Sequence, residues 1–72
     1  MDFAASVRAR RKGLGLTQAE AAELAGVGAR LVYEVEKGST AVQLDNLTRL
    51  LDALGLHLVL TRGASKDVEV DV

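Results

Sequence analysis

The stretch that decides the fold is Thr17-Gln18-Ala19-Glu20-Ala21-Ala22-Glu23-Leu24-Ala25-Gly26-Val27-Gly28-Ala29-Arg30-Leu31-Val32-Tyr33-Glu34-Val35-Glu36-Lys37-Gly38. It reads as two helical segments with a brief interruption. Thr17 and Glu20 form the S/T-x-x-E pattern of a capping box, in which hydroxyl and carboxylate satisfy backbone donors left over at a helix start. The helix that follows spans residues 18–25, turns Ala22 and Ala25 inward, and stops at Gly26, where a left-handed backbone is cheapest for glycine. Only Val27 and Gly28 intervene before a second helix, which puts Val32 and Val35 on one face and runs to Lys37. Its end is marked by a cation at the negative helix terminus followed by the glycine Gly38.

Two short helices joined by a three-residue turn containing glycine make a helix-turn-helix unit. Each position meets a physical demand. Ala22 lies where the helices approach closely and a larger side chain would push them apart. Val32 and Val35 lock the second helix at a steep angle, and Leu24 and Val27 are expected to fill the local core. Any one of these signals is weak, but together, at these offsets and with the Thr17 cap, they are strong.

Working outward, residues 2–12 read as a preceding helix, with Phe3 and Val7 one turn apart on its apolar face and Gly13 at the stop position. Residues 39–42 read as a loop. A fourth helix carries Leu44, Leu47, Leu50, Leu51 and Leu54 at helical spacing and closes at Gly55. The period then changes: Leu56, Leu58 and Leu60 alternate with His57, Val59 and Thr61, the pattern of a short strand. A lone strand leaves backbone groups unpaired, so the simplest partner is the same strand of a second copy, giving a two-fold dimer through residues 56–62. The alternative is a C-terminal extension packed on the bundle. The expected architecture is mainly α, with four to five helices. Residues 1–62 read as the DNA-binding and dimerisation domain, and residues 63–72 as a flexible acidic tail. In that tail Val68, Val70 and Val72 alternate with Glu69 and Asp71, so it becomes strand if given a partner.

Seventy-two residues allow one domain, near the lower size limit for independent folding. Almost half are hydrophobic, yet Phe3 and Tyr33 are the only aromatic residues, so the core must be built from Ala, Val and Leu. No cysteine is present, which excludes disulfides and thiolate metal sites and suits a reducing compartment. No apolar run approaches the roughly 20 residues of a membrane span, and the first residues do not resemble a signal peptide; a cytoplasmic protein with no membrane partner is expected. The net charge is −1, but its distribution is uneven. Arg8, Arg10, Arg11 and Lys12 face only Asp2 in the first twelve residues, whereas Asp67, Glu69 and Asp71 gather in the tail. A basic cluster is more often plain solvated surface than a binding site, so charge alone decides nothing.

Arg11, Gly15-Leu16-Thr17-Gln18-Ala19-Glu20, Ala22, Gly26-Val27 and Glu36-Lys37-Gly38 resemble the lambda-repressor-like (XRE/Cro-type) helix-turn-helix family over about residues 7–55. The continuation Leu50-Leu51-Asp52-Ala53-Leu54-Gly55-Leu56, followed by a strand, is more narrowly similar to HipB-type antitoxins. Those are dimeric repressors that pair through such a strand and bind a kinase-fold HipA toxin. Two departures stand out: the family usually has leucine where Ala21 stands, and serine or threonine where Gly28 begins the reading helix.

The resemblance implies a repressor of double-stranded DNA that acts on palindromic half-sites as a homodimer. In that geometry the N-terminal residues of the second helix meet base edges and the preceding helix touches the backbone. Arg30 is then the best base reader, because a guanidinium pairs with O6 and N7 of guanine in bidentate fashion. Ala29 is placed to meet a thymine methyl, Tyr33 a base or phosphate, and Glu34 either to accept from the N4 amine of cytosine or to exclude the wrong site. Thr17, Gln18, Gly28, Lys37, Ser39 and Thr40 are the expected backbone contacts, which position without specifying. Arg11 and Glu36 are expected to form an internal ion pair joining the first and third helices, while Arg8, Arg10 and Lys12 flank the DNA.

No catalytic constellation accompanies these residues. His57 is the sole histidine and sits in the alternating strand, more consistent with a strand side chain than with a ligand. No second histidine or cysteine completes a metal site, the acidic residues show no pairing for acid-base work, and no cofactor or enzymatic activity is expected. Between an autoregulating antitoxin and a stand-alone or phage-type regulator, the shortness of the chain and its acidic, strand-prone tail favour the first. The competing class is a protein-interaction adaptor that kept the fold and lost DNA recognition.

Overall fold

The computed structural model of the chain describes residues 2–39, 41–59 and 69–71. Four helices, α1 (Phe3–Gly13), α2 (Gln18–Ala25), α3 (Ala29–Lys37) and α4 (Leu44–Ala53), precede two short strands, β1 (His57–Val59) and β2 (Glu69–Asp71). The first two helix starts have a local cause. Asp2 accepts a hydrogen bond from the Ala5 N–H at 2.7 Å to open α1. At α2 both halves of the capping box are made: the Glu20 N–H donates to Thr17 Oγ1 at 3.0 Å, and the Thr17 N–H donates to Glu20 Oε1 at 2.9 Å.

The helix ends are equally regular. At α2, Gly26 adopts φ +71°, and the N–H groups of Gly26 and Val27 donate to the carbonyls of Glu23 and Ala22 at 3.2 and 3.0 Å, the paired bonds of a Schellman motif. An L-residue there would carry a left-handed strain of about 1–2 kcal/mol. The α1 helix ends differently from the sequence expectation: Gly13 is its last helical residue, and the left-handed position falls at Gly15. Leu56 also departs from expectation. It lies before β1, and its N–H closes α4 by donating to Leu51 O at 2.8 Å, while its side chain joins the core.

The core gathers Val7 of α1, Ala21 and Ala22 of α2, Val32 and Val35 of α3, and Leu50 and Leu51 of α4, with Leu54 and Leu56 beyond it. Phe3, Leu16, Ala25, Val27, Val42, Leu47 and Leu58 pack around its edge. Ala21 is fully buried, so α2 packs through small residues where a leucine was the family expectation. Leu24 does not fill the local core; it is 65 % exposed. At about 100° per residue it falls some 200° around the helix from Ala22, on the outward side of α2. Leu44, the first residue of α4's apolar series, is likewise exposed.

The strand β1 is not alone. It pairs antiparallel with β2 in the register His57 with Asp71, Leu58 with Val70 and Val59 with Glu69. The premise that only a second copy offers a partner therefore fails: the chain's own tail returns to supply one, and closing such a short connection carries only a modest entropic penalty. Residues 69–71 form the strand that the alternation of the tail allows once a partner is present, and β2 lies beside α1 as well as β1. Leu60 and the rest of the expected strand to residue 62, together with tail residues 63–68 and 72, lie outside the described residues.

Candidate nucleic-acid interface

The site is built on α3, whose position is fixed from behind. Val32 and Val35 are buried, and next to them Glu36 meets Arg11 of α1. Arg11 Nε donates to Glu36 Oε2 at 2.6 Å and Nη2 donates to Oε1 at 2.9 Å, a bidentate fork with side chains only 9 % and 4 % exposed. A third guanidinium donor, Nη1, reaches Leu16 O at 2.7 Å in the turn between α1 and α2. Gln18 at the start of α2 adds a bond from Nε2 to Glu36 Oε1 at 3.3 Å. One carboxylate therefore ties together α1, α2 and α3. Burial pushes the Glu36 carboxyl up, but hydrogen bonds from Arg11 and Gln18, with the nearby charges of Arg11 and Arg8, outweigh it and hold the carboxyl below its ordinary value of 4.5. Arg11 is held correspondingly more basic, chiefly by its hydrogen bond to Glu36.

The opposite face of α3 is open. Ala29, Arg30, Tyr33 and Lys37 are exposed and recur at the three- and four-residue spacing that places side chains along one helical face. Arg30 extends into solvent with its side chain 90 % exposed, and its Nε lies 3.8 Å from Glu34 Oε1 one turn on. Tyr33 is 51 % exposed, and the Lys37 ammonium stands 5.8 Å from its ring centroid. Glu34 is further tucked in, at 32 %. With its side chains an α-helix such as α3 is about 10–12 Å across, a width that a major groove about 12 Å wide admits.

The expected backbone contacts fall into three groups. Gly28 begins α3 with no side-chain cap bond, and Lys37 is exposed at its end. Thr17, Gln18 and Ser39 are already engaged within the protein. Thr17 serves the capping box, Gln18 holds Glu36, and Ser39 Oγ accepts from the Ala41 N–H at 3.3 Å. Thr40 lies outside the described residues. Arg10, expected beside DNA, is instead spent inside the molecule. Its Nε donates to Leu54 O at 2.8 Å, a cation at the negative end of α4, and its guanidinium lies so close to Gly55 that an added Cβ would sit 3.1 Å away.

Sequence reasoning missed one further group. Gln43 and Asn46, at the start of α4, line a shallow hollow with Arg30 and Glu34. The cue available in the sequence was their place at a helix start directly after the loop that follows α3. Arg8, expected to flank the DNA, lines a second hollow with Gln18, Tyr33 and Lys37.

Residues 7–60 match the family described as helix-turn-helix. The chain belongs to that family. The match is of the XRE type and runs from the middle of α1 past β1. The chain is also similar to a protein of Sinorhizobium fredii (strain NBRC 101917 / NGR234) named as the uncharacterized HTH-type transcriptional regulator y4mF: they are 39 % identical over 57 residues, covering 79 % of this chain and 75 % of that one. Family membership points to a DNA-binding regulator rather than to an enzyme. Among the described residues no helix is long and apolar enough to cross a membrane, and no group of three or more His, Asp or Glu side chains is placed to hold a metal ion.

Proposed function

We propose that this helix-turn-helix protein is a sequence-specific transcriptional repressor that binds an inverted-repeat operator as a homodimer, with the outward face of α3 in the major groove. The observation that carries the reading is the contrast across α3. Its inner side is fixed by Val32, Val35 and the Arg11–Glu36 fork, while Arg30, Tyr33 and Lys37 are exposed on the outer side. Arg30 reads guanine, Ala29 and Tyr33 border it, and Glu34 either accepts from cytosine N4 or excludes other bases. Gly28 and Lys37 contact the backbone, joined by Thr17, Gln18, Ser39 and Thr40 where their remaining donors reach it.

The dimer is proposed through the edge of β1 that faces away from β2. Among the described residues no strand occupies that edge, and two copies joined there would make a four-stranded sheet with the β2 strands outermost. Within this reading the chain is the HipB-like antitoxin of a toxin–antitoxin pair, repressing its own operon and binding a HipA-like kinase. Support comes from the Leu50–Leu56 sequence and the strand directly after α4. A stand-alone regulator is the second reading, favoured by β2: with the tail strand already paired to β1, the tail is not an unclaimed strand waiting for a partner protein.

Selection of binding sites from random duplex DNA tests the repressor. The expected product is an inverted repeat with half-sites about 34 Å apart, or a multiple of it; recovery of unselected sequence would refute specific binding. Light scattering at micromolar concentration is expected to give twice the chain mass, and a monomer would remove the dimer. Co-purification with a kinase encoded beside the gene would favour the antitoxin; its absence would favour the stand-alone regulator.

A further inference from the structure

Three helices meet around a hollow of about 290 Å³ lined by Arg8, Arg11, Gln18, Tyr33, Glu36 and Lys37. Its charges do not balance. Glu36 is the sole carboxylate in that lining, and it is taken by both donors of the Arg11 fork, so this pair is neutral as a unit. Arg8 and Lys37 remain, and neither makes an ion pair among the described residues. Arg8 also lines the adjoining hollow, with Lys37 and with the carboxylates of Asp2, the N-cap of α1, and Glu36, so it stands between the two recesses that flank the end of α3. Gln18, whose amide carries two N–H donors, spends one bond on Glu36. The surface thus brings two uncompensated cations and a spare amide donor to one concave spot at the rim of the exposed α3 face.

We propose that Arg8 is a phosphate-binding residue, which with Lys37 and Gln18 clamps one backbone phosphate of duplex DNA over this hollow and fixes how deeply α3 enters the groove. The chemistry suits the ligand. A guanidinium offers paired N–H donors that match two phosphate oxygens, and the ammonium of Lys37 adds a point charge from the other side. The fork beneath is already satisfied, so the phosphate draws on Arg8 and Lys37 without breaking the Arg11–Glu36 pair. This inference rests on the DNA-binding reading above and adds to it a contact from α1, outside the helix-turn-helix itself.

The test is the salt dependence of binding to the selected operator, measured by fluorescence anisotropy for the wild-type chain and for Arg8→Ala, Arg8→Gln and Arg8→Lys. Loss of one phosphate contact is expected to lower the slope of log K against log salt by about 0.9 for each bound copy of the chain. Both neutral variants should show this loss with base preference unchanged, and Arg8→Lys should keep most of the slope. Arg8→Gln retains much of the side-chain stem, so a slope loss shared by both neutral variants, with wild-type thermal unfolding in at least Arg8→Gln, separates charge from folding. A wild-type slope in Arg8→Ala and Arg8→Gln overturns the proposal while leaving the DNA-binding reading intact. A changed base preference overturns it too, because Arg8 would then be touching bases. Wild-type protein that shows no salt-dependent DNA binding overturns both.

Discussion

The two faces of α3 are one helix with opposite chemistry. Inward, Val32 and Val35 are buried, and Glu36 is gripped by Arg11 and Gln18. Outward, Arg30 and Tyr33 are exposed, with Glu34 loosely placed 3.8 Å from Arg30 and the Lys37 ammonium 5.8 Å from the Tyr33 ring centroid. The contrast separates what holds the helix from what the helix offers. A guanidinium that must find a base needs reach and rotamer freedom, and it is useful only if the backbone carrying it does not move. Precision comes from the inner face and adaptability from the outer one.

Substitutions can break this comparison, and the largest effect belongs to the inner face. Glu36→Ala leaves the Arg11 guanidinium buried without its carboxylate and should destabilise the fold by about 3–5 kcal/mol, read by chemical denaturation. A loss below about 1 kcal/mol would mean that the fork is not what anchors α3. Val32→Ala should cost about 2 kcal/mol by removing methyl groups from a fully packed site, with a matching drop in the thermal midpoint. Gly26→Ala should cost about 1–2 kcal/mol through strain at a left-handed position, without loss of any contact in the core, since no atom beyond the adjoining residues lies within 4 Å of the added methyl. On the outer face, Tyr33→Phe should change stability by less than about 0.5 kcal/mol; a larger change would show that the hydroxyl belongs to the folded framework.

Acid sharpens the same contrast. Glu36 and Glu20 both titrate below the ordinary carboxylate value when folded. For Glu36 burial opposes the shift and the hydrogen bonds from Arg11 and Gln18 overcome it; for Glu20 the Thr17 backbone and hydroxyl bonds lower it. A group depressed in the folded state contributes stability above its unfolded pKa and loses it as pH falls through the folded value. Stability should therefore be flat near neutrality and fall below about pH 4.5, the ordinary carboxylate value. In Glu36→Gln that acid slope should shrink. Equal slopes in the two proteins would show that the carboxylate is not linked to folding.

Much of this arrangement is legible in the sequence because it is local. The Thr17–Glu20 box, the Lys37-Gly38 stop and the spacing of Val32 and Val35 need only near neighbours to be interpreted. Leu24 lies outside the core because the phase of α2 is set by Ala21, Ala22 and Ala25, and helical phase overrides the hydrophobic character of a single residue. The contact made by Arg10 and the pairing of β2 with β1 could not be assigned from local pattern. The carbonyl that Arg10 meets is 44 positions away, and the partner of β1 is a valine-containing stretch whose pairing depends on where the chain returns. The candidate site divides in the same way. The exposed series on α3 follows from the periodicity that buries its other face, whereas the convergence of Arg8, Gln18 and Lys37 exists only once three helices have packed.

The most direct measurement is the base-preference profile of Arg30→Ala on the selected operator, set against that of the wild-type chain. The account predicts that discrimination at one base position in each half-site disappears, with about 1–3 kcal/mol of affinity lost, while thermal unfolding and preference at the other positions stay as they were. A variant that keeps full discrimination at every position would contradict it, because the outward face of α3 would then not be the surface that reads DNA.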